Sequence, residues 1–227
     1  MATRGSASAP MWGWIIALQV VPAVASAQVE PASAQSAGEF VVESALSDDA
    51  GFAARWVIDS EDNHSLPFAI VDKKRARLYV FASTGRLVGQ SPILLGLSVG
   101  DASKVGIASR APAGLAHVER ITPAGRFASE PGHNAQGEDI VWFDYDASLA
   151  IHRLRPSPAS QHRNERMDSS RSDDKRISYG CIVAPVAFYD AVVRPSLGRQ
   201  RGVVYVLPEL RPVDEMFRSD RLSSRSP

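Results

Sequence analysis

From Phe68 to Leu207 the chain breaks into short apolar runs separated by turn residues, and this spacing limits the fold more than any other feature. Phe68 to Asp72 reads as one strand, Lys73-Lys74-Arg75 as a polar turn and Ala76 to Phe81 as a second strand. In that second run Arg77 and Tyr79 alternate with Leu78 and Val80, the period of a half-exposed hairpin. Ser83-Thr84-Gly85-Arg86 makes the next turn, and Leu87-Val88 and Pro92 to Val99 continue the pattern. After a Gly/Ser/Ala-rich connection, further strands are expected at Gly125 to Phe127, Asp139 to Phe143, Ser148 to His152 and Val203 to Leu207. Such spacing, with little helical periodicity, predicts a mainly β domain of sandwich or barrel type with one or two short helices. One helix is expected from Pro185, a residue favoured at the first helical position, through Val186, Tyr189, Val192 and Val193, with Pro195 closing it.

The flanks differ in character. Residues 1–27 read as a secretory signal: Arg4, an apolar stretch from Met11 to about Val24, then Ala25-Ser26-Ala27, leaving Gln28 as the new N-terminus. The alternative, a short membrane anchor, is disfavoured because the run is shorter than the roughly 20 residues of a spanning helix. No later segment reads as a span, so no stable membrane span is expected after cleavage. No cysteine lies near the cleavage site, which excludes a lipoprotein anchor. Residues 28–65 are rich in Ala, Ser, Glu and Asp and read as a linker, with a short helix around Phe52 to Val57. The folded domain is expected over 66–208, and 209–227 as a flexible tail. Lys+Arg and Asp+Glu both total 25, so no global field favours nucleic acid, which is excluded as a partner. Oligomeric state is not legible.

One stretch cannot bury a core. From Arg155 to Arg176 the only large apolar side chain is Met167, and from His152 to Ser178 seven Lys/Arg stand against four Asp/Glu. This reads as a long surface loop, either a solvated insertion or a functional segment whose charge docks carboxylates.

Cys181 is the only cysteine, so no intramolecular disulfide forms. A lone thiol in an exported protein is either buried and inert or chemically used. Its surroundings, Ile177-Ser178-Tyr179-Gly180-Cys181-Ile182, lie between the polar loop and the helix. A cysteine nucleophile needs a partner to form its thiolate and backbone donors for the oxyanion that follows attack. Gly180 allows a tight turn, and the amides of Gly180 and Cys181 are candidate oxyanion donors.

Four ordered segments resemble the L,D-transpeptidase (YkuD-like) catalytic domain family over about residues 67–208. Ala69-Ile70-Val71-Asp72 leading into Arg77 to Phe81 resembles its opening hairpin, and Ile121-Thr122-Pro123-Ala124-Gly125-Arg126-Phe127 its T-P-x-G-x-F segment. Ile151-His152 and Ser178-Tyr179-Gly180-Cys181-Ile182 resemble its strand-end histidine and its Ser/Thr-His-Gly-Cys signature. The resemblance implies a mostly-β catalytic domain and acyl transfer from a peptidoglycan stem peptide through a thioester on Cys181. It implies a periplasmic or cell-wall location and no cofactor; the acceptor is left open. Two alternatives stand beside it: a peptidoglycan-binding member that has lost efficient catalysis, and an L,D-carboxypeptidase that hydrolyses the thioester.

The chain departs from the family pattern three times. Tyr179 stands where the family has its basic histidine, and a phenol with a pKa of about 10 is a poor base at neutral pH. Val183 stands where Arg or Asn is common. The 28 residues between His152 and Cys181 exceed the family's spacing. The thiol's partner therefore falls to His152, whose alternative is a structural histidine. Tyr179 either donates a hydrogen bond or packs, and Ser178 either orients the histidine or serves the turn. His64, His117, His133 and His162 carry no recognisable partner, and no pair has metal-ligand spacing.

Overall fold

The computed structural model describes residues 46–102 and 114–223, with side chains through Arg218. The expected signal segment, residues 1–27, the linker as far as 45 and the last residues of the tail lie outside the described residues.

Among the described residues ten strands carry the fold: β1 (Phe68–Asp72), β2 (Arg77–Phe81), β3 (Leu87–Pro92), β4 (Leu95–Gly96), β5 (Gly125–His133), β6 (Asp139–Asp144), β7 (Leu149–Arg153), β8 (Arg176–Ser178), β9 (Ile182–Ala184) and β10 (Gly202–Val206). Eight form one mixed sheet in the order β3-β2-β1-β10-β5-β6-β7-β9, with β1–β10 and β7–β9 parallel. The two ends of this sheet meet. Just past β3, Leu94 exchanges two backbone hydrogen bonds of 2.9 Å with Val183 of β9, and β4 pairs in parallel with β8. The sheet is thus nearly closed and barrel-like, as the strand spacing predicts. Closure removes most of the unpaired edge that an open sheet would leave.

Alternation divides the strands between two cores. Val71, Leu78, Val80, Val141, Ile151, Ile182 and Val204 point inward to one buried cluster. Phe68, Ile70, Tyr79, Phe81, Val203 and Tyr205 point outward to another. The outward set is covered by helix α1 (Asp48–Ser60), through Ala50, Ala53, Ala54 and Val57, one apolar stripe at helical spacing. Ser47 caps this helix: its hydroxyl accepts from the amide of Ala50 at 3.2 Å and donates to Asp72 at the end of β1. The ordered fold therefore takes in residues that composition assigns to the linker. Tyr79, expected half-exposed, is 2 % exposed because α1 covers that face.

The segment after Pro208 also differs from expectation. It forms a helix over Val213–Ser223 (α4 below), and Val213, Met216 and Phe217 enter the outer core at i, i+3 and i+4. The polar loop contains helix α2 (Arg163–Asp168), whose Met167 packs with Leu94 and Val183. Leu154 and Ile177 pack against the same cluster, and the Lys175 ammonium donates to the Arg166 and Met167 carbonyls.

The helix beginning after Pro185, α3, spans 186–196 and runs past Pro195. Its middle, Tyr189–Val193, has π-helical geometry, with the Arg194 amide reaching back to the Tyr189 carbonyl. That shift in bonding register takes up the proline, which cannot donate its own helical bond. Tyr189, Val193 and Leu197 seal the inner core.

Candidate active site

Three backbone segments meet beneath Cys181: residues 96–98, 120–122 and 178–181. Gly96 opposes Ser178 across β4–β8, the Leu97 amide donates to the Ser178 carbonyl at 2.9 Å, and Ser98 bridges to Ile121. A Cβ at Gly96 would lie 2.5 Å from the Arg120 carbonyl oxygen, and one at Gly180 would lie 2.7 Å from that of Ile121. Gly180 also has φ +131, a region that side-chain-bearing residues avoid. Glycine is required at both positions because backbone packs directly on backbone.

Two hydroxyls fix the turn into the cysteine. Ser178 Oγ donates to the Cys181 carbonyl at 2.6 Å and accepts from the Gly180 amide at 3.0 Å. Thr122, fully buried, donates from Oγ1 to the Gly180 carbonyl at 2.9 Å and accepts from the Gly96 amide at 2.9 Å. The Gly180 amide is therefore engaged by Ser178. Holding the Gly180 carbonyl on one side of the planar peptide turns the Cys181 N–H to the opposite side. Ser178 supports the turn and does not touch the histidine, among the described residues.

Cys181, half-buried, directly precedes β9. Its thiol lies 3.8 Å from the Ser148 carbonyl. Burial pushes the thiol above the ordinary cysteine range, while the Ala150 N–H and the positive charge of Arg155 pull it back in part. His152 lies on β7, opposite Val183 in the parallel register, on the same face as Ala150 and two residues further along. The parallel register places Cys181 level with Ala150 near the start of β7 and His152 two residues further along the same strand. They share no hydrogen bond.

His152 Nδ1 lies 2.7 Å from the carbonyl of Arg153, which fixes that nitrogen as the donor and leaves the Nε2 lone pair free to accept a proton. Burial holds its pKa down at about 4, with the charges of Arg155 and Arg163 acting in the same direction against the Arg153 carbonyl and Glu138. The resting pair is a neutral thiol and a neutral imidazole. Arg153 anchors the end of the strand through Asp139 at 3.0 Å and Asp190 at 2.6 Å, with its guanidinium 4.3 Å from the Tyr189 ring.

Tyr179 points outward, 41 % exposed, with the guanidinium of Arg120 stacked 4.5 Å from its ring centroid. The other four histidines are exposed. Among the described residues no cluster of His, Cys, Asp or Glu could hold a metal ion, and no helix is long and apolar enough to cross a membrane.

Sequence reasoning missed Thr122, Arg120 and Arg155 as parts of the site. Thr122 stood in the quoted Thr-Pro-Ala-Gly segment, which was its only signal. Arg155 was counted in the loop's charge without a place.

No protein-family model matches the chain, and no curated protein matches it. Among solved structures it is similar to the Ldtfm–avibactam carbamoyl enzyme, at 17 % identity and TM-score 0.36, over 63 % of this chain and 49 % of that one. It is also similar to an L,D-transpeptidase (residues 123–326) from Xylanimonas cellulosilytica DSM 15894, at 16 % identity and TM-score 0.38, over 62 % and 60 % of the two chains. The chain thus spans about half to three fifths of the length of these structures. Likenesses this remote carry no argument about chemistry.

Proposed function

We propose that this protein is an exported L,D-transpeptidase-like acyltransferase that works on peptidoglycan stem peptides through a Cys181 thioester. The supporting observation is the placement of Cys181 beside the start of β7 and His152 at its end, with the Gly180–Cys181 peptide held rigid by Thr122 and Ser178. Export rests on the character of residues 1–27, and with it a periplasmic or cell-wall location.

In the proposed reaction His152 Nε2 takes the thiol proton as sulfur bonds to a carbonyl carbon of the stem peptide. The carbonyl oxygen becomes an oxyanion facing the Cys181 amide. As the C–N bond breaks, the imidazolium returns its proton to the departing amine and a thioester remains on sulfur. An acceptor amine then attacks the thioester, loses a proton to His152, and frees the cysteine. Water in place of the amine would give an L,D-carboxypeptidase.

The neutral resting pair and the outward Tyr179 favour one further reading, a peptidoglycan-binding member with weakened catalysis. Intact-mass measurement after incubation with a carbapenem separates the two. One covalent adduct, absent from Cys181→Ala, is expected. The absence of both an adduct and any 3-3 crosslinked muropeptide product would overturn the enzyme reading.

A further inference from the structure

Between His152 and Cys181 the chain takes a long path, and that path builds a groove. Leu154 to Ala159, residues 162–165 and Val186 enclose about 600 Å³. Leu154, Pro156, Pro158 and Val186 give apolar walls, and Arg155 and Arg163 belong to the same lining. Arg155 also lines a neighbouring cavity of about 540 Å³ with Glu138 and Arg153.

The two arginines are not equivalent. Arg155 donates to Glu138 at 2.6 Å and so already has a carboxylate partner. Arg163 donates from Nε to the carboxamide oxygen of Gln161 at 2.7 Å and, among the described residues, meets no carboxylate. The acidic neighbour within the groove, Glu165, is 72 % exposed and turns towards His162 at 3.8 Å. Burial, and then the like charge of Arg155, make the positive charge on Arg163 harder to hold, and the phenol of Tyr179 offsets this only in part. A half-buried guanidinium with no carboxylate partner among the described residues and a like-charged neighbour is relieved when an anion enters.

The groove also lies within electrical reach of the reacting pair. The charge of Arg155 acts on both Cys181 and His152, and that of Arg163 acts on His152. An anion seated at Arg163 would therefore offset a charge that acts on His152.

We propose that this groove recognises a free carboxylate of the peptide substrate, with Arg163 as the primary contact and Arg155 as the second. The proposal rests on the stem-peptide reading and narrows it to peptides presenting a free acid rather than an amide. It makes the chain between His152 and Cys181 a substrate-selecting segment, and apolar walls beside a guanidinium suit a short peptide better than a bare inorganic anion.

The test uses the full chain carrying Cys181→Ala, so that binding is read without turnover. Isothermal titration with a synthetic stem tetrapeptide in free-acid form is compared with its fully amidated counterpart. The free acid is expected to bind at least roughly tenfold more tightly. Arg163→Gln should remove that difference by weakening the acid alone, and Arg163→Lys should restore part of it. Equal binding of acid and amide, a preference that survives Arg163→Gln, or no binding of either peptide would overturn the proposal. The adduct experiment separates this failure from failure of the enzyme reading: acid preference without acylation sinks the thioester, and acylation without acid preference sinks the groove.

Discussion

Thr122 Oγ1 lies 2.9 Å from the carbonyl oxygen of Gly180, and the same hydroxyl accepts the amide of Gly96 at 2.9 Å. One buried side chain thereby joins three stretches of backbone that are distant in sequence. Its own carbonyl is held in turn by the ammonium of Lys73 at 3.0 Å. The direction of the Cys181 N–H is consequently set from outside the segment that contains the cysteine.

Thr122→Val keeps the shape and removes both hydrogen bonds, leaving the Gly180 carbonyl and the Gly96 amide without this partner. The expected cost is about 2 kcal/mol of stability. Carbapenem acylation of Cys181 should fall by roughly tenfold or more as the oxyanion amide loses its aim. Thr122→Ser should recover most of the rate. Comparing acylation at a temperature where both variants are folded separates aim from stability; an unchanged rate in the valine variant would remove Thr122 from the site.

Much of the fold was legible because strand alternation is local. The opening hairpin, the strand-end position of His152 and the turn before Cys181 all follow from residue types within a few positions. What was not legible depends on contacts across the sequence. The outward face of Tyr79 is buried only because α1, some twenty residues earlier, lies on it. The last helix reads as a charged tail until Phe217 finds Trp56 at 4.6 Å. At the site, the Gly180 amide donates to Ser178 two residues earlier, a hydrogen bond that spacing alone does not reveal.

The neutral resting pair has a measurable signature. Burial raises the Cys181 thiol and lowers His152 to about 4, so no thiolate–imidazolium ion pair forms near neutrality. Iodoacetamide alkylation of Cys181 should therefore keep rising with pH beyond about 8.5, the ordinary cysteine value. A plateau reached already in mildly acidic solution would mean a preformed ion pair. The His152 ring, followed by NMR, should titrate near pH 4. Because this value is depressed, the unfolded chain takes up the proton first. Stability tied to neutral His152 is full above about pH 6.5 and is lost as pH falls towards 4, by up to about 3 kcal/mol. His152→Ala should flatten that limb and abolish acylation.

Tyr179 provides a contrast. Its ring lies under Arg120 at 4.5 Å and faces solvent, so removing only the hydroxyl leaves the stacking in place. Tyr179→Phe should acylate within roughly twofold of the parent, since an exposed stack contributes only about 0.5–1 kcal/mol and is retained. Tyr179→Ala should loosen the turn and slow acylation further. A phenylalanine variant as inactive as His152→Ala would show that the hydroxyl takes part in proton transfer.

A buried charge at Lys73 ties the site to the rest of the fold. It is fully buried, and its ammonium donates to the Gly100 carbonyl at 2.5 Å, the Thr122 carbonyl at 3.0 Å and Asp101 at 2.8 Å, with Glu209 3.5 Å away. Glu209 also pairs with Arg176, and Asp101 accepts the amides of Glu209 and Leu210. Lys73→Met leaves the partners short of a cation in a buried place and should cost about 3–5 kcal/mol. The same change should reach Cys181 through the Thr122 carbonyl, lowering acylation even where the variant is folded. The acid limb gives an independent check. Burial would raise the Asp101 carboxyl, but its hydrogen bonds from Lys73, Glu209 and Leu210 outweigh that and hold it below the ordinary carboxylate value. Its contribution is thus present above the unfolded value of about 3.9 and lost as pH falls through the depressed folded one. In Lys73→Met that acid-dependent step should shrink, read as a shallower fall in unfolding temperature below pH 4. A methionine variant with the parent's stability and acid profile would show that the ammonium is dispensable and that the loop at residues 100–101 holds Thr122 without it.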